Sequence, residues 1–456
     1  MKPAVILAYA ALLIPCLLIQ PVQAAPGITA EEAAIVAQEA FVYGFAPILL
    51  ETERQTRMRS LGGANQMMYS PLPDRTGESG PIEAGPSVIS IAAYVDLAKE
   101  PVVFCRPDGP GSKVFFKVID AYTHALPAPG TSELCTALTG PGWKGSLPQG
   151  VNGMRSPTRG AWIFGRILYQ GPRDQEALKT FMGRYCLTTL SRFSRGKREA
   201  PHEAAADVPM PMSPLRQVLL MDMQAFFGRL ALFMKRTPPP AGDAALLGRM
   251  TRIGIDARTG FFDTSGLGPA ARKAIEQGMN KGMDDIRHYT GEGFPLRDGW
   301  VVVSSPVTPG ADYLRRAATA YYALGEPFAQ DAPLAFCRVD AQGRGLNGNE
   351  RYVLRMEKDR LPLNQACWAL SVRDAEAPRN PERGQNASLG SGDRLQASPD
   401  GAIEIFIRKD PPGADRGPNW LKAPEGDFTL MLRSYRPERQ IPSGEDTYPQ
   451  VKSMEE

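Results

Sequence analysis

The hydrophobic period of this chain changes twice, and that limits its fold more than any other feature. Short strand-like runs, separated by turn signals such as Pro107-Asp-Gly-Pro110, fill the region from Val88 to Tyr169. They read as strands at Val88–Val95, Pro101–Cys105, Lys113–Tyr122, Leu134–Thr139 and Gly160–Tyr169. From about 172 to 290 the apolar spacing becomes helical, with helices read at Arg173–Phe193, from Ser213 to Lys235, from Asp243 to Gly254 and at Pro269–Tyr289. A second β-rich region opens near Trp300, and a helix at Asp312–Leu324 leads into it. Runs follow at Leu334–Val339, Glu350–Met356, Ala366–Arg373, Ala402–Arg408 and Phe428–Tyr435. Side chains alternate across a strand and recur every three to four residues on a helix. One chain with both periods must bury sheets and helices together.

Turn chemistry agrees with short strands. The 456 residues include 45 Gly and 42 Pro, which favour turns and extended connections over a helix bundle. The length exceeds what one core usually holds, so two domains or more are expected. A further helix is read over residues 30–60, amphipathic with a small-residue face at Ala33, Ala34, Ala37, Ala40, Phe41 and Gly44. Thr29 is positioned to cap it, ahead of Glu31 and Glu32. The stretch 61–85 reads as a loop, and Arg192–Asp207 as a solvated connection. In Ala366–Arg373, Trp368, Leu370 and Val372 alternate with Ala369, Ser371 and Arg373, the pattern of a strand buried on one side.

The N-terminus reads as a targeting segment. Lys2 precedes an apolar run from Val5 to Leu18, and Val22-Gln23-Ala24 offers a cleavage site after Ala24. The run is short for a bilayer-spanning helix, which needs roughly 20 residues. Cys16 follows Pro15, where a lipoprotein signal wants a small residue. The expected product is periplasmic or secreted, with no stable membrane insertion after cleavage. Export permits disulfides. Cys105 with Cys135 and Cys337 with Cys367 are the candidate pairs, since each could join neighbouring strands; five reduced, packed thiols are the competing reading. Cys186 is expected on a helix as a buried thiol. A net charge of +3 is too mild to imply nucleic acid.

Several motifs resemble a bacterial pair of domains classed as domains of unknown function 1254 and 1214. In the first half these are Glu39-Ala-Phe-Val-Tyr-Gly-Phe45, Asp96-Leu97 with Glu100-Pro-Val102, Asp120, Gly140-Pro-Gly-Trp-Lys-Gly145, Ser156-Pro-Thr158 and Gly165-Arg166. In the second they are Tyr313-Leu-Arg-Arg-Ala317, Leu346-Asn-Gly348 with Tyr352, Trp368, Asp400-Gly401, Asn419-Trp-Leu421 and Tyr435-Arg-Pro437. The resemblance implies two β-sandwich domains of jelly-roll character. The resulting fold class is β-rich α+β, with an N-terminal helix and a helical segment between the sandwiches. The expected divisions are 1–24 signal, 25–171 first sandwich, 172–299 helical connection and 300–456 second sandwich. The family's Asp-Thr-x-Tyr motif before the strand ending in Asp-Leu is replaced here by Gly85-Pro-Ser-Val-Ile-Ser90.

The chemistry-bearing residues are few. There are three histidines, His124, His202 and His288, too scattered for a metal centre, and no C-x-x-C spacing occurs. No metal or cofactor is expected. Asp120 lies four residues before His124, a spacing that suits an acid/base pair or the satisfaction of a loop backbone. Arg166, near Ser156 and Thr158, could hold a carboxylate or phosphate. Trp143 and Trp420, the latter beside Asn419, could stack a sugar face or lock turns onto the core. Gly343-Arg-Gly-Leu-Asn-Gly348 mimics a dinucleotide loop but precedes a strand-like run, so it reads as a hairpin turn. The leading expectation is an exported cell-envelope protein that binds a small molecule or glycan through Trp143, Arg166, Asn419 and Trp420. A periplasmic hydrolase using Asp120 and His124, and a non-catalytic homo-oligomeric scaffold, are the alternatives.

Overall fold

The computed structural model describes residues 28–61, 63–70, 88–106, 113–127, 134–168, 175–204, 212–303, 312–325, 334–358, 367–375, 387–391, 393–413, 416–435 and 448–454. The expected signal segment, 1–24, lies outside the described residues, as do 85–87 of the altered motif. The protein is mixed α+β. Among the described residues its α-helices are α1 (Ala30–Leu61), α2 (Gln175–Met182), α3 (Leu190–Ser194), α4 (Pro214–Leu219), α5 (Met223–Arg236), α6 (Ala244–Arg252), α7 (Pro269–Arg287) and α8 (Tyr313–Ala323).

Two sheets form the first β unit. One runs in the order Lys113–Asp120, Gly160–Leu168, Val88–Asp96, Met68–Tyr69, His202–Glu203. The other runs Asn152–Arg155, Cys135–Thr139, Val102–Cys105, Cys186–Thr189. Ile89, Ile91, Ala93, Val118, Ile163 and Ile167 from the first meet Val102, Phe104, Leu138 and Leu187 from the second in one core. The second β unit repeats this plan with a six-stranded and a four-stranded sheet. There Trp300, Leu370, Val372, Leu430 and Leu432 meet Tyr352, Leu354, Ile405 and Leu421.

Helices fill the space between the two units. Ala92, Tyr94, Ile119, Trp162 and Phe164, on the other face of the first sheet, join the same core as Val303, Leu334, Phe336 and Met431 of the second unit. The larger sheets are therefore covered on both faces. This corrects the one-sided reading of the strand Cys367–Asp374: Ser371 and Arg373 are buried too, and Arg373 Nε donates to Ser371 Oγ at 3.1 Å.

α1 is the centre of the helical layer. Its start is a reciprocal capping box: Glu32 N–H donates to Thr29 Oγ1, and Thr29 N–H to Glu32 Oε2, each at 3.1 Å. Beyond it the amphipathic reading fails, because every residue from Ala40 to Leu50 is buried. The helix is long and apolar enough to cross a membrane, but 78% of its apolar window is buried inside the fold. α4, α5, α6, α7 and α8 surround it. The closest crossing is with α7, where a Cβ on Gly278 would stand 2.1 Å from the Ala34 carbonyl oxygen.

Other expectations shift locally. The long helix over Arg173–Phe193 is instead α2, a strand and α3. Gly183 ends α2, and Cys186–Thr189 completes the sheet beside Val102–Cys105. Cys186 is thus on a strand. Ser213 to Lys235 divides into α4 and α5, restarted by Asp222, whose carboxylate accepts from Ala225 N–H at 2.7 Å. Cys105 and Cys135 are directly opposed and joined by a disulfide. Cys337 and Cys367 are not joined, which corrects that candidate pair. Their strands flank Phe428–Tyr435 on opposite sides, with Cys337 opposite Leu430 and Cys367 opposite Tyr435. A whole strand and five residues of register separate them, beyond disulfide reach. Cys337 is a buried free thiol that donates to the Val339 carbonyl at 3.1 Å.

The α1–α7 crossing gives a test with opposite signs. Gly278→Ala is expected to destabilise the protein by about 1–3 kcal/mol through overpacking. Gly248→Ala on α6, where a Cβ meets nothing within 4 Å, is expected to stabilise by up to about 1 kcal/mol. Denaturant unfolding of both variants checks it.

Candidate functional site

The site begins with a missing hydrogen bond. Pro47 lies inside α1. It has no N–H to give the carbonyl four residues back, and its ring crowds that carbonyl. The carbonyl belongs to Tyr43, which is fully buried. Arg316 of α8 takes up the vacancy: its NH2 group donates to the Tyr43 carbonyl at 2.8 Å. The guanidinium also lies near the faces of the Tyr43 and Tyr313 rings, at 5.1 and 5.2 Å, which favours a cation electrostatically.

The other terminal nitrogen of Arg316 meets His124 Nε2 at 3.1 Å. A guanidinium nitrogen can only donate, so Nε2 accepts and the imidazole proton sits on Nδ1. Nδ1 faces Asp120 Oδ2 at 3.1 Å. Asp120 Oδ1 accepts from the backbone N–H groups of Tyr122 and His124, both at 2.9 Å. The chain reverses at Thr123, with φ 67°. Asp120 and His124 therefore do meet, but both imidazole nitrogens are engaged and neither residue lines the adjoining cleft. The pair positions Arg316; no ring nitrogen remains for a substrate proton.

The second β unit repeats this turn. Asp340 Oδ1 accepts from Gln342 and Arg344 N–H groups at 2.9 Å, and Oδ2 from Arg344 Nε at 2.8 Å. Gly343 takes the left-handed position, with φ 79°. The sequence signal was present: Asp120-Ala-Tyr-Thr-His-Ala-Leu126 matches Asp340-Ala-Gln-Gly-Arg-Gly-Leu346 at Asp, Ala and Leu. The Arg344 side chain is 64% exposed and returns to its own turn. His124 instead reaches α8. The same clamp is structural in one unit and supports a buried cation in the other.

Asp243 completes the network. It stands at the N-terminus of α6, but its side chain makes no cap bond. Its carboxylate instead accepts from Tyr43 Oη at 2.9 Å and Tyr313 Oη at 2.6 Å. Burial pushes the Tyr43 and Tyr122 hydroxyls well above the ordinary phenol range. Burial and the Asp243 bond push Tyr313 up to about 12. Burial pulls the Arg316 guanidinium down.

On the other side of Arg316 is a narrow, partly open cleft with about 20 Å³ of water-accessible space, lined by Lys117, Thr123, Phe164, Arg316, Thr319 and Gly325 among others. Arg316 Nε and Thr319 Oγ1 are buried and have no partner among the described residues. Lys117 lies over the Phe164 ring at 5.7 Å. Arg166 is buried on the same face, since Phe115 opposes it and Lys117 opposes Phe164. Its NH1 group donates to the Gly165 carbonyl at 3.4 Å.

The remaining candidates are elsewhere. Trp143 is half-buried in a turn of the first unit, folded over Gly145, where a Cβ would meet the indole at 2.6 Å. Asn419 and Trp420 belong to the second unit. The Asn419 amide accepts from Gln396 N–H and donates to the Gln396 and Glu404 carbonyls, all at 2.8 Å. Trp420 Nε1 donates to the Arg408 carbonyl at 2.9 Å. These three side chains lock turns, and they do not converge with Arg166.

Residues 64–189 match the family model described as protein of unknown function (DUF1254), and residues 332–439 match protein of unknown function (DUF1214). The chain belongs to this two-domain family. Among solved structures it resembles the VPA0106 protein from Vibrio parahaemolyticus, at 19% identity and a TM-score of 0.57, over 93% of this chain and 100% of that one. That likeness concerns the fold alone. An uncharacterized protein from Burkholderia cenocepacia aligns at 12% identity and a TM-score of 0.39, over 93% of this chain and 95% of that one. No curated protein sequence matches the chain. In this DUF1254/DUF1214 protein, Ser90, at the end of the altered motif, is buried opposite Arg166.

Two measurements test the network. Arg316→Met leaves His124 Nε2 and the Tyr43 carbonyl without donors, an expected loss of about 2–5 kcal/mol. Pro47→Ala supplies the Tyr43 carbonyl with a helical donor, so Arg316→Met should cost about 1 kcal/mol less in that background. Equal costs in a double-mutant cycle would contradict the argument. The tyrosines set a pH dependence. Their folded values lie above that of an unfolded tyrosine, about 10. The stability they contribute is fully present below about pH 10 and is lost as pH rises through the Tyr313 value of about 12. Unfolding free energy should fall across that window, and less steeply in Tyr313→Phe.

Proposed function

We propose that this protein is an exported small-molecule-binding protein of the cell envelope, and that its ligand is a small anion, a carboxylate or phosphate, held in the cleft beside Arg316. One observation carries the reading: a cation 2% exposed keeps an Nε–H with no partner among the described residues, next to a buried threonine hydroxyl that likewise has none there. Buried polar groups are normally hydrogen-bonded, and an exception calls for a ligand or water. Arg316 makes no direct ion pair among the described residues, so an anion would also offset the cost of its burial. Lys117 adds a second positive charge at the same cleft. The N-terminal segment and the Cys105–Cys135 disulfide support export. The two sheet pairs are read as jelly-roll-like sandwiches. Because Trp143 and Trp420 lock separate turns, the small-molecule reading is favoured over the glycan one. With His124 spent on Arg316, binding is favoured over hydrolysis.

Calorimetric titration and thermal shift at fixed ionic strength test this, using phosphate, sulfate, acetate and citrate beside neutral sugars. At least one anion is expected to bind and raise Tm. Charge-assisted hydrogen bonds are worth about 1.5–3 kcal/mol, so Lys117→Gln should weaken binding by roughly tenfold or more. Thr319→Val should also weaken it. Binding confined to neutral sugars, or anion binding unchanged in both variants, would overturn the proposal.

A further inference from the structure

Three cysteines stand in a row across three neighbouring strands. Cys105 is opposed by Cys135 on one side and by Cys186 on the other, both in antiparallel register. Directly opposed residues of such strands point to the same face, with Cβ atoms about 4.5–5.5 Å apart. All three side chains meet in a small cluster with Val103, Ala137 and Val151, away from the main cores. Cys105 is bonded to Cys135, and Cys186 is a buried free thiol. The central sulfur thus has a cysteine neighbour on each side and a bond to only one.

We propose that this row is a thiol–disulfide exchange site: the Cys186 thiolate attacks Cys105 Sγ, the Cys105–Cys186 bond forms, and Cys135 leaves as a thiolate. One S–S bond breaks and one forms. The proton lost by Cys186 passes to water, and Cys135 takes one up. No outside oxidant or reductant is needed. Exchange of this kind runs through a thiolate and needs access to the sulfur attacked. The row supplies that access by adjacency alone.

The outcome relocates the reactive sulfur. Cys186 is buried, whereas Cys135 is half-buried at the open start of its strand, next to Leu134, which is 47% exposed. Exchange therefore moves a thiol from the interior to the rim, where a small-molecule disulfide could react with it. Burial raises the Cys186 thiol above its ordinary range, while the Arg198 guanidinium and the Cys105 backbone N–H pull it back and Glu199 opposes them. Arg198 is held beside the cluster by stacking 3.6 Å over the Phe193 ring. Exchange in the resting fold is accordingly slow and should be read over hours.

The test uses the full chain, natively folded, in mildly alkaline buffer with a bulky maleimide, followed by non-reducing peptide mapping. Label is expected to accumulate on Cys135, together with a new Cys105–Cys186 crosslinked peptide. Both should be lost in Cys186→Ser. Absence of Cys135 label in the wild type, or equal label in Cys186→Ser, would overturn the proposal. As a second measurement, Cys135→Ser is oxidised under native conditions and its circular dichroism compared with wild type. A Cys105–Cys186 disulfide supports the proposal; two reduced cysteines in a folded variant contradict it. If that variant does not fold, the wild-type labelling decides.

Discussion

One absent hydrogen bond organises the middle of this protein. Pro47 leaves the Tyr43 carbonyl without its helical donor in a segment buried on every side. A buried carbonyl without a partner costs about 1–3 kcal/mol, so something must reach it. Arg316 does, and a buried cation in turn needs acceptors and nearby negative charge. His124 provides an acceptor, Asp120 orients His124, and Asp243 lies behind the two tyrosine rings flanking the guanidinium. A single proline thereby couples a sheet turn, α1, α8 and the segment before α6. Each link satisfies a group the previous link left exposed.

The repeated aspartate turn shows how a structural device becomes part of a site. Asp120 and Asp340 hold their turns with the same set of backbone bonds. The difference lies four residues on. Arg344 closes onto its own aspartate in solvent, while His124 has a second nitrogen free to point inward. A histidine can accept there and an arginine cannot. The cleft beside Arg316 follows from that choice, because its guanidinium is fixed at two nitrogens and its third has no partner among the described residues. The candidate site is thus built on a turn and two helices, with the sheet face of Lys117 as its floor.

Legibility in the sequence differed between levels. Phe428–Tyr435 and Val88–Asp96 could be read because each is a short, largely apolar run bounded by turn residues. Cys186–Thr189 could not: four residues after a helix show no period, and they form a strand only because Val102–Cys105 offers an open edge. α1 was found as a helix, but its surroundings were misjudged, since small residues such as Ala37 and Gly44 suit either a face or an all-round interior. Of the site, Asp120, His124 and Arg166 were named from local spacing. Lys117, Arg316 and Thr319 were not, because each looks ordinary in its own segment. Arg316 falls within a quoted family motif, yet nothing local shows that it is 2% exposed.

Local sequence alone specifies the alternation of sheet and helix, the two-unit family plan, the capping box at Thr29 and the aspartate turns. These depend on residues within a few positions of one another, where propensity and hydrogen-bond geometry act directly. The folded arrangement is what covers both large sheets twice, gives Cys105 a bonded and a free cysteine neighbour, and brings Arg316 to His124 across 192 residues of chain. Those outcomes depend on which faces must be buried against which. That competition for burial is settled by the whole molecule, and no local stretch of sequence contains its result.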